Sequence, residues 1–106
     1  MMSKYHNKIT YTADGIKHAS QKEANRWCEL KMLERAGHIT DLKRQVEYEL
    51  IPPQEGERKA CYIADFVYKD EKGNTIVEDA KGVKTKEYIL KRKLMLWVHN
   101  IHIQEV

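Results

Sequence analysis

Asp65 and, one hairpin later, Glu78-Asp79-Ala80-Lys81 are the residues whose types and spacing could do chemistry. Both sets fall on segments that read as strands, 61–68 and 75–81, where a carboxylate withdrawn from water costs several kcal/mol unless it is paired or bound to a metal. Two strands that both carry this defect, with a lysine two residues beyond one of them, suggest a divalent-metal site beside a cation. If the turn closes around Glu71-Lys72-Gly73, pairing Asp70 with Asn74, then Asp65 faces Asp79 directly. Opposed strand side chains have Cβ atoms about 4.5–5.5 Å apart, a distance at which two carboxylates repel unless a proton or a cation lies between them. A hard cation such as Mg²⁺ takes oxygen ligands and keeps several waters, so two carboxylates and a carbonyl suffice. Lys81 follows Asp79 by two residues and therefore shares its sheet face, where its ammonium can orient water or offset charge on a phosphoryl group. A slip of one residue would bring Asp65 opposite Glu78 or Ala80 instead.

The elements that must hold these groups can be read along the chain. Asp14-Gly15 signals a two-residue hairpin with positive φ at both central positions, predicting an N-terminal β-ribbon within residues 1–19. Ser20-Gln21-Lys22-Glu23 is a capping box that opens a helix over 21–36, with Ala24, Trp27, Cys28, Leu30, Leu33 and Ala36 as its buried stripe and Gly37 ending it. A strand over 45–51 alternates Val46, Tyr48 and Leu50 with polar residues and stops at Pro52-Pro53. The 61–68 strand is apolar on both faces and is predicted to be central and covered on both sides. After the 75–81 strand and a loop over 82–86, Thr85 caps a second helix whose inward stripe is Leu90, Leu94, Trp97 and Val98. Residues 101–106 alternate as a last strand. The fold class is therefore α/β: helix, three-stranded antiparallel meander, helix and strand, forming a core over 20–106 behind the ribbon, in a single domain spanning 1–106.

The chain has 106 residues, enough for one modest core, and its 42% apolar and 33% charged content fits a globular domain. No apolar run approaches the ~20 residues that span a bilayer, and the N-terminus lacks the apolar stretch of a secretory signal. Cys28 and Cys61 are expected as free buried thiols in a reducing cytoplasm rather than as a disulfide. No Cys/His spacing matches a structural zinc site, and neither a Ser/His/Asp set, a Cys/His set nor a Gly-rich phosphate loop is present. His99 and His102 lack a partner set, which disfavours a His-metal nuclease. The net charge of +3 is unremarkable, but Lys81, Lys84, Lys86, Lys91, Arg92 and Lys93 form a basic stripe against one acid, Glu87. A stripe of that kind suits flanking phosphates, with a solvated helix face as the plain alternative.

Asp65 followed by Asp79-Ala80-Lys81 resembles the PD-(D/E)XK nuclease signature, with Ala64-Asp65 standing where Pro-Asp would be, and the element order is similar to that restriction-endonuclease-like core. The match extends to Asp14-Gly15-Ile16, Ser20 to Ala24, Tyr62 to Phe66, Val77 to Gly82 and Thr85 to Tyr88, which resemble small phage-encoded members that act as Holliday-junction resolvases or related endonucleases. The resemblance implies that Asp65 and Asp79 bind metal, that Ala80 lends its carbonyl, that Lys81 is the catalytic lysine and that Glu23 is the first-helix acid completing the site. It further implies a Mg²⁺-dependent endodeoxyribonuclease, with Mn²⁺ substituting, that makes a 3′-hydroxyl and a 5′-phosphate without a nucleotide cofactor. Branched DNA, above all a four-way junction, is the expected substrate in the host cytoplasm. So small a monomer has little surface for two duplex arms, so a two-fold homodimer is expected. Nucleases of flaps, ends or plain duplex, and a junction-binding module without turnover, are the rival readings.

Several residues carry plainer readings beside these. Glu23 is already explained as a helix cap, and Glu29 is a solvated alternative. Glu78 points to the sheet face opposite Asp79, suggesting a surface or interface role. Lys84, Lys86, Lys91 and Lys93 are candidate DNA contacts or ordinary exposed lysines. Trp27 and Trp97 are expected in the core, and Gln45 is expected to point into the cleft.

Overall fold

The computed structural model describes residues 8–106. The chain order is β1 (Thr10–Tyr11), β2 (Lys17–His18), α1 (Gln21–Arg35), β3 (Thr40–Ile51), β4 (Ala60–Lys69), β5 (Thr75–Asp79), α2 (Lys86–His99) and β6 (Gln104–Glu105). β1 and β2 form a small ribbon, and the other strands form one mixed sheet in the order β3-β4-β5-β6. The antiparallel meander is closed by β6, which pairs in parallel with β5 after the α2 crossover. The fold is thus mixed α/β, with the order of helix, three strands, helix and strand expected from the sequence. Among the described residues no helix is long and apolar enough to cross a membrane.

The β4–β5 register decides the site. Phe66 pairs with Glu78, Val67 with Val77 and Tyr68 with Ile76, and the Asp70 amide donates to the Asn74 carbonyl at 3.0 Å. This is the register that the Gly73 turn predicts, and Gly73 takes its left-handed φ of 82°. Continued by one step it brings Asp65 level with Asp79, although β5 ends at Asp79, so Ala80 and Lys81 lie beyond the ladder.

Two core clusters lie on opposite faces of the sheet, as neighbouring residues of β5 require: Ile76 packs with one and Val77 with the other. Trp27, Leu30, Phe66 and Tyr68 hold α1 on the first face, and Leu50, Tyr62, Ala64 and Met95 hold α2 on the second. The alternation inverts at one place. Leu42, Phe66 and Tyr68 lie against α1, whereas Tyr48, Leu50, Tyr62 and Ala64, of the same parity, lie against α2. The pairs Arg44–Phe66 and Val46–Ala64 bracket this switch without a register shift, so it falls at the opposed residues Gln45 and Asp65. Gln45 there takes a φ of 54°, a left-handed conformation uncommon inside a strand. Because both strands step out of phase together, the ladder survives while the two faces exchange.

Other departures have identifiable causes. The ribbon loop runs from Thr12 to Ile16 between the pairs Thr10–His18 and Tyr11–Lys17, and of its two expected positive-φ residues only Gly15 is left-handed. Asp14, though exposed, folds its carboxylate over the loop and against α1, accepting from the Thr12 hydroxyl, the Ile16 amide and, at 2.7 Å, the Trp27 indole. These bonds hold its pKa down at about 2, led by the Thr12 contact. β3 begins at Thr40 rather than 45, and the last strand is confined to Gln104–Glu105. On α1 only Ala24, Trp27 and Leu30 of the expected stripe are buried, joined by Glu23 in the first turn; Cys28, Leu33 and Ala36 are exposed. The cysteines are free, but Cys28 is exposed and Cys61 half-buried, so neither is the fully buried thiol expected. α2 is rotated relative to its predicted stripe: Tyr88 and Met95 are buried, Leu94 is half-buried, and Leu90, Trp97 and Val98 face outward. Trp97, expected in the core, is 84% exposed.

Candidate functional site

The N-terminus of α1, the middle of β4 and the segment that follows β5 meet around a cavity of about 350 Å³ whose lining includes Ser20, Glu23, Asp65, Ala80 and Lys81. Ser20 caps α1 by accepting from the Glu23 amide at 3.1 Å. The other half of the expected capping box is altered. Glu23 Oε2 accepts from the Ala19 amide at 3.1 Å rather than from Ser20, one residue closer to the ribbon. Its Oε1 accepts from Gln45 Nε2 at 3.2 Å, with His18 Nδ1 and an Arg44 nitrogen each at 3.7 Å. A carboxylate with these partners tolerates its near-complete burial.

Asp65 is held from two sides. Its Oδ2 accepts from the Ala80 amide at 2.8 Å, and its Oδ1 lies 3.5 Å from Gln45 Nε2. One carboxamide therefore spans Glu23 and Asp65, and the strained backbone of Gln45 is what aims it there. Strain of this kind costs of order 1–3 kcal/mol and persists only where surrounding structure enforces it. The expectation that Gln45 points into the cleft is met.

Asp79 sits behind this cavity. It is 1% exposed; its Oδ2 accepts from the Tyr62 hydroxyl at 2.6 Å, while Oδ1 is buried with no hydrogen-bond partner. Burial pushes its pKa up and the Asp65 charge adds to this, while the Tyr62 bond and Lys81 pull it down. Tyr62 is in turn shifted strongly upward by burial and by Asp79, so the hydroxyl stays protonated and donates. Lys81 is exposed, with its ammonium 5.6 Å from the centre of the Tyr88 ring. It lines both the main cavity and a second one of about 290 Å³ that includes Tyr62, Tyr88 and Lys91.

Glu78 does face away from Asp79, but it is not a surface residue. At 1% exposure it accepts from Arg26 at 2.8 and 2.7 Å and from the Tyr68 hydroxyl, a buried ion pair tying β5 to α1. Tyr68 is pushed up to about 12 by burial and by Glu78. Glu29 is solvated, paired with Arg26.

The structure thus brings Glu23, Asp65, Ala80 and Lys81 around one space, with Asp79 adjoining through Ala80. Among the described residues no group of three or more His, Cys, Asp or Glu side chains is close enough to form a metal cage as it stands. The donor chemistry nevertheless suits a hard cation, since every acid is an oxygen donor and Asp79 keeps one buried oxygen unpartnered. The candidate DNA contacts separate. Lys91 borders the second cavity with Lys81, Lys84 pairs with Glu105, Lys86 is exposed at the start of α2, and Lys93 borders a different groove beside Arg92 and His102. Tyr62, His18 and Arg44 escaped the sequence reading. Tyr62 differs in parity from Asp65, and only the face switch at Gln45–Asp65 brings its hydroxyl to Asp79.

A family model described as "Protein of unknown function (DUF1064)" matches residues 2–104, and the chain belongs to that family. No curated protein and no solved structure matches it.

Proposed function

We propose that the chain is a metal-dependent endodeoxyribonuclease with a restriction-endonuclease-like core, acting on branched DNA. The observation that carries this reading is Asp79: a buried carboxylate with one unpartnered oxygen, adjoining Asp65 and Glu23 at the rim of an open cavity that also holds a lysine. A buried carboxylate oxygen that no protein group satisfies is well suited to a cation. Asp65, Asp79, Glu23 and the Ala80 carbonyl would hold the ion. A bound Mg²⁺ or Mn²⁺ supplies a water of lowered pKa and neutralises phosphoryl charge.

The chain's own residues do the rest. The Ala80 amide fixes the Asp65 carboxylate, Tyr62 fixes Asp79, and Gln45 keeps Glu23 and Asp65 on one side of the cavity. Lys81, which lines both cavities, presents positive charge to the phosphate and orients the attacking water. The water oxygen bonds to phosphorus, the bond to the 3′-oxygen breaks, and that oxygen leaves with a proton as a 3′-hydroxyl, giving a 5′-phosphate on the other product. A two-fold dimer would place two such sites on one junction.

Equimolar labelled four-way junction, flap and linear duplex in one Mg²⁺ reaction test the substrate. The junction is expected to be consumed first; preferential cutting of plain duplex would remove the junction reading and leave a general nuclease.

A further inference from the structure

The outward ridge of α2 is built from residues that neither the core nor the cavity uses. Lys86, Leu90, Lys93 and Trp97 are spaced at i, i+4, i+7 and i+11, so they stack along one side of the helix. All four are exposed, with Leu90 at 58% and Trp97 at 84%. Among the described residues neither Lys86 nor Lys93 has an ion-pair partner, whereas Lys84 and Lys91, off the ridge, are matched by Glu105 and Glu87. A tryptophan left in water beside two unpaired lysines does not serve folding, since it buries almost nothing.

We infer that this ridge binds an unpaired DNA strand, with Lys86 and Lys93 against phosphates and Trp97 stacked on a base. The charge pattern selects a polyanion over a second copy of the chain, because both charges on the ridge are positive and unpaired, and a second copy of the ridge brings only further positive charge. The aromatic end selects an unpaired strand over intact duplex, since a base must be unstacked before it can lie on an indole. Thr85, the residue before the ridge, lines the cavity that holds Asp65 and Lys81. Eleven residues at about 1.5 Å rise put Trp97 roughly 16 Å from Lys86, the span of roughly five stacked nucleotides. A strand leaving the cavity along α2 would reach Trp97 at that distance, as branched DNA with an opened centre allows. The inference rests on the nuclease reading for its choice of DNA, but binding and cleavage are separately measurable.

The test uses tryptophan emission of the full chain titrated with oligo(dT) in EDTA, which prevents cleavage. Trp27 is buried, so the difference between wild type and Trp97→Phe isolates Trp97. Oligo(dT) should quench the wild type and leave Trp97→Phe nearly unchanged. Trp97→Ala should weaken oligo(dT) binding by about 5- to 150-fold, the range for losing one stacked base, while its melting temperature stays with the wild type. Binding without quenching, or equal affinity in Trp97→Ala, overturns the ridge. So does a dimer that Trp97→Ala converts to monomer, which would make this face a contact between copies. If Mg²⁺-dependent cleavage persists while Trp97 stays silent, only the ridge fails; quenching without any cleavage sinks the nuclease reading and leaves the ridge.

Discussion

Glu78 and Asp79 are chain neighbours, both 1% exposed, and neutralising each is expected to damage a different property. Glu78→Gln removes the charge from a carboxylate that accepts twice from Arg26 and once from Tyr68. Breaking one side of a buried pair costs about 3–5 kcal/mol when the abandoned partner is fully enclosed. The Arg26 side chain keeps 25% exposure and a bond to Glu29, so a loss of about 2–4 kcal/mol is the appropriate scale. For a domain of this size that corresponds to a melting temperature lower by roughly 10–25 °C. Asp79→Asn removes a charge that burial already disfavours and keeps an oxygen for the Tyr62 hydroxyl, so its melting temperature at pH 7 should equal or exceed that of the wild type. The pH dependence follows. Above the unfolded value of 3.8 and below its own raised pKa, folded Asp79 keeps a proton that the unfolded chain has lost. Its contribution to stability therefore falls as pH rises through that window, and Asp79→Asn should lack this component. Thermal melts of both variants between about pH 3.5 and pH 8 decide the matter. Destabilisation of Asp79→Asn as large as that of Glu78→Gln would refute the division of labour and make Asp79 a structural carboxylate.

Two further outcomes are expected. Gln45→Gly should melt no lower than the wild type, because glycine accepts the left-handed φ, whereas Gln45→Ala keeps the strain and loses the bridge, lowering stability by about 1 kcal/mol; a lower melting point for the glycine variant would show that the bridge outweighs the strain. Asp14→Ala should free the ribbon from Trp27, seen as loss of amide-exchange protection over Thr10–His18 with α1 protection intact; unchanged exchange would mean that the ribbon is held elsewhere.

The hairpin register was legible because turn chemistry at Asp70–Asn74 and the two-residue strand period fix it locally. The start of α1 at Ser20 and of α2 at Thr85 was legible for the same reason: a cap is a local bond. The rotation of α2 was not, since Leu90 and Trp97 fit a helical stripe as well as Tyr88 and Met95 do, and only packing against Leu50, Tyr62 and Val77 selects between them. Nor was the burial of Glu78, whose partner Arg26 is remote in sequence. The face switch at Gln45 and Asp65 leaves no trace in a hydrophobic pattern, because the buried residues on either side of it keep the same parity, and it is what delivers Tyr62 to Asp79.

The most direct test is nicking of a labelled four-way junction by the wild type and by Asp79→Asn, in Mg²⁺ and in EDTA, with folding of both verified by melting. The expected result is cleavage only by the wild type with metal, leaving 5′-phosphates, and none by a folded Asp79→Asn. Equal cleavage by the two proteins, or cleavage undiminished in EDTA, would contradict a metal site built on Asp79.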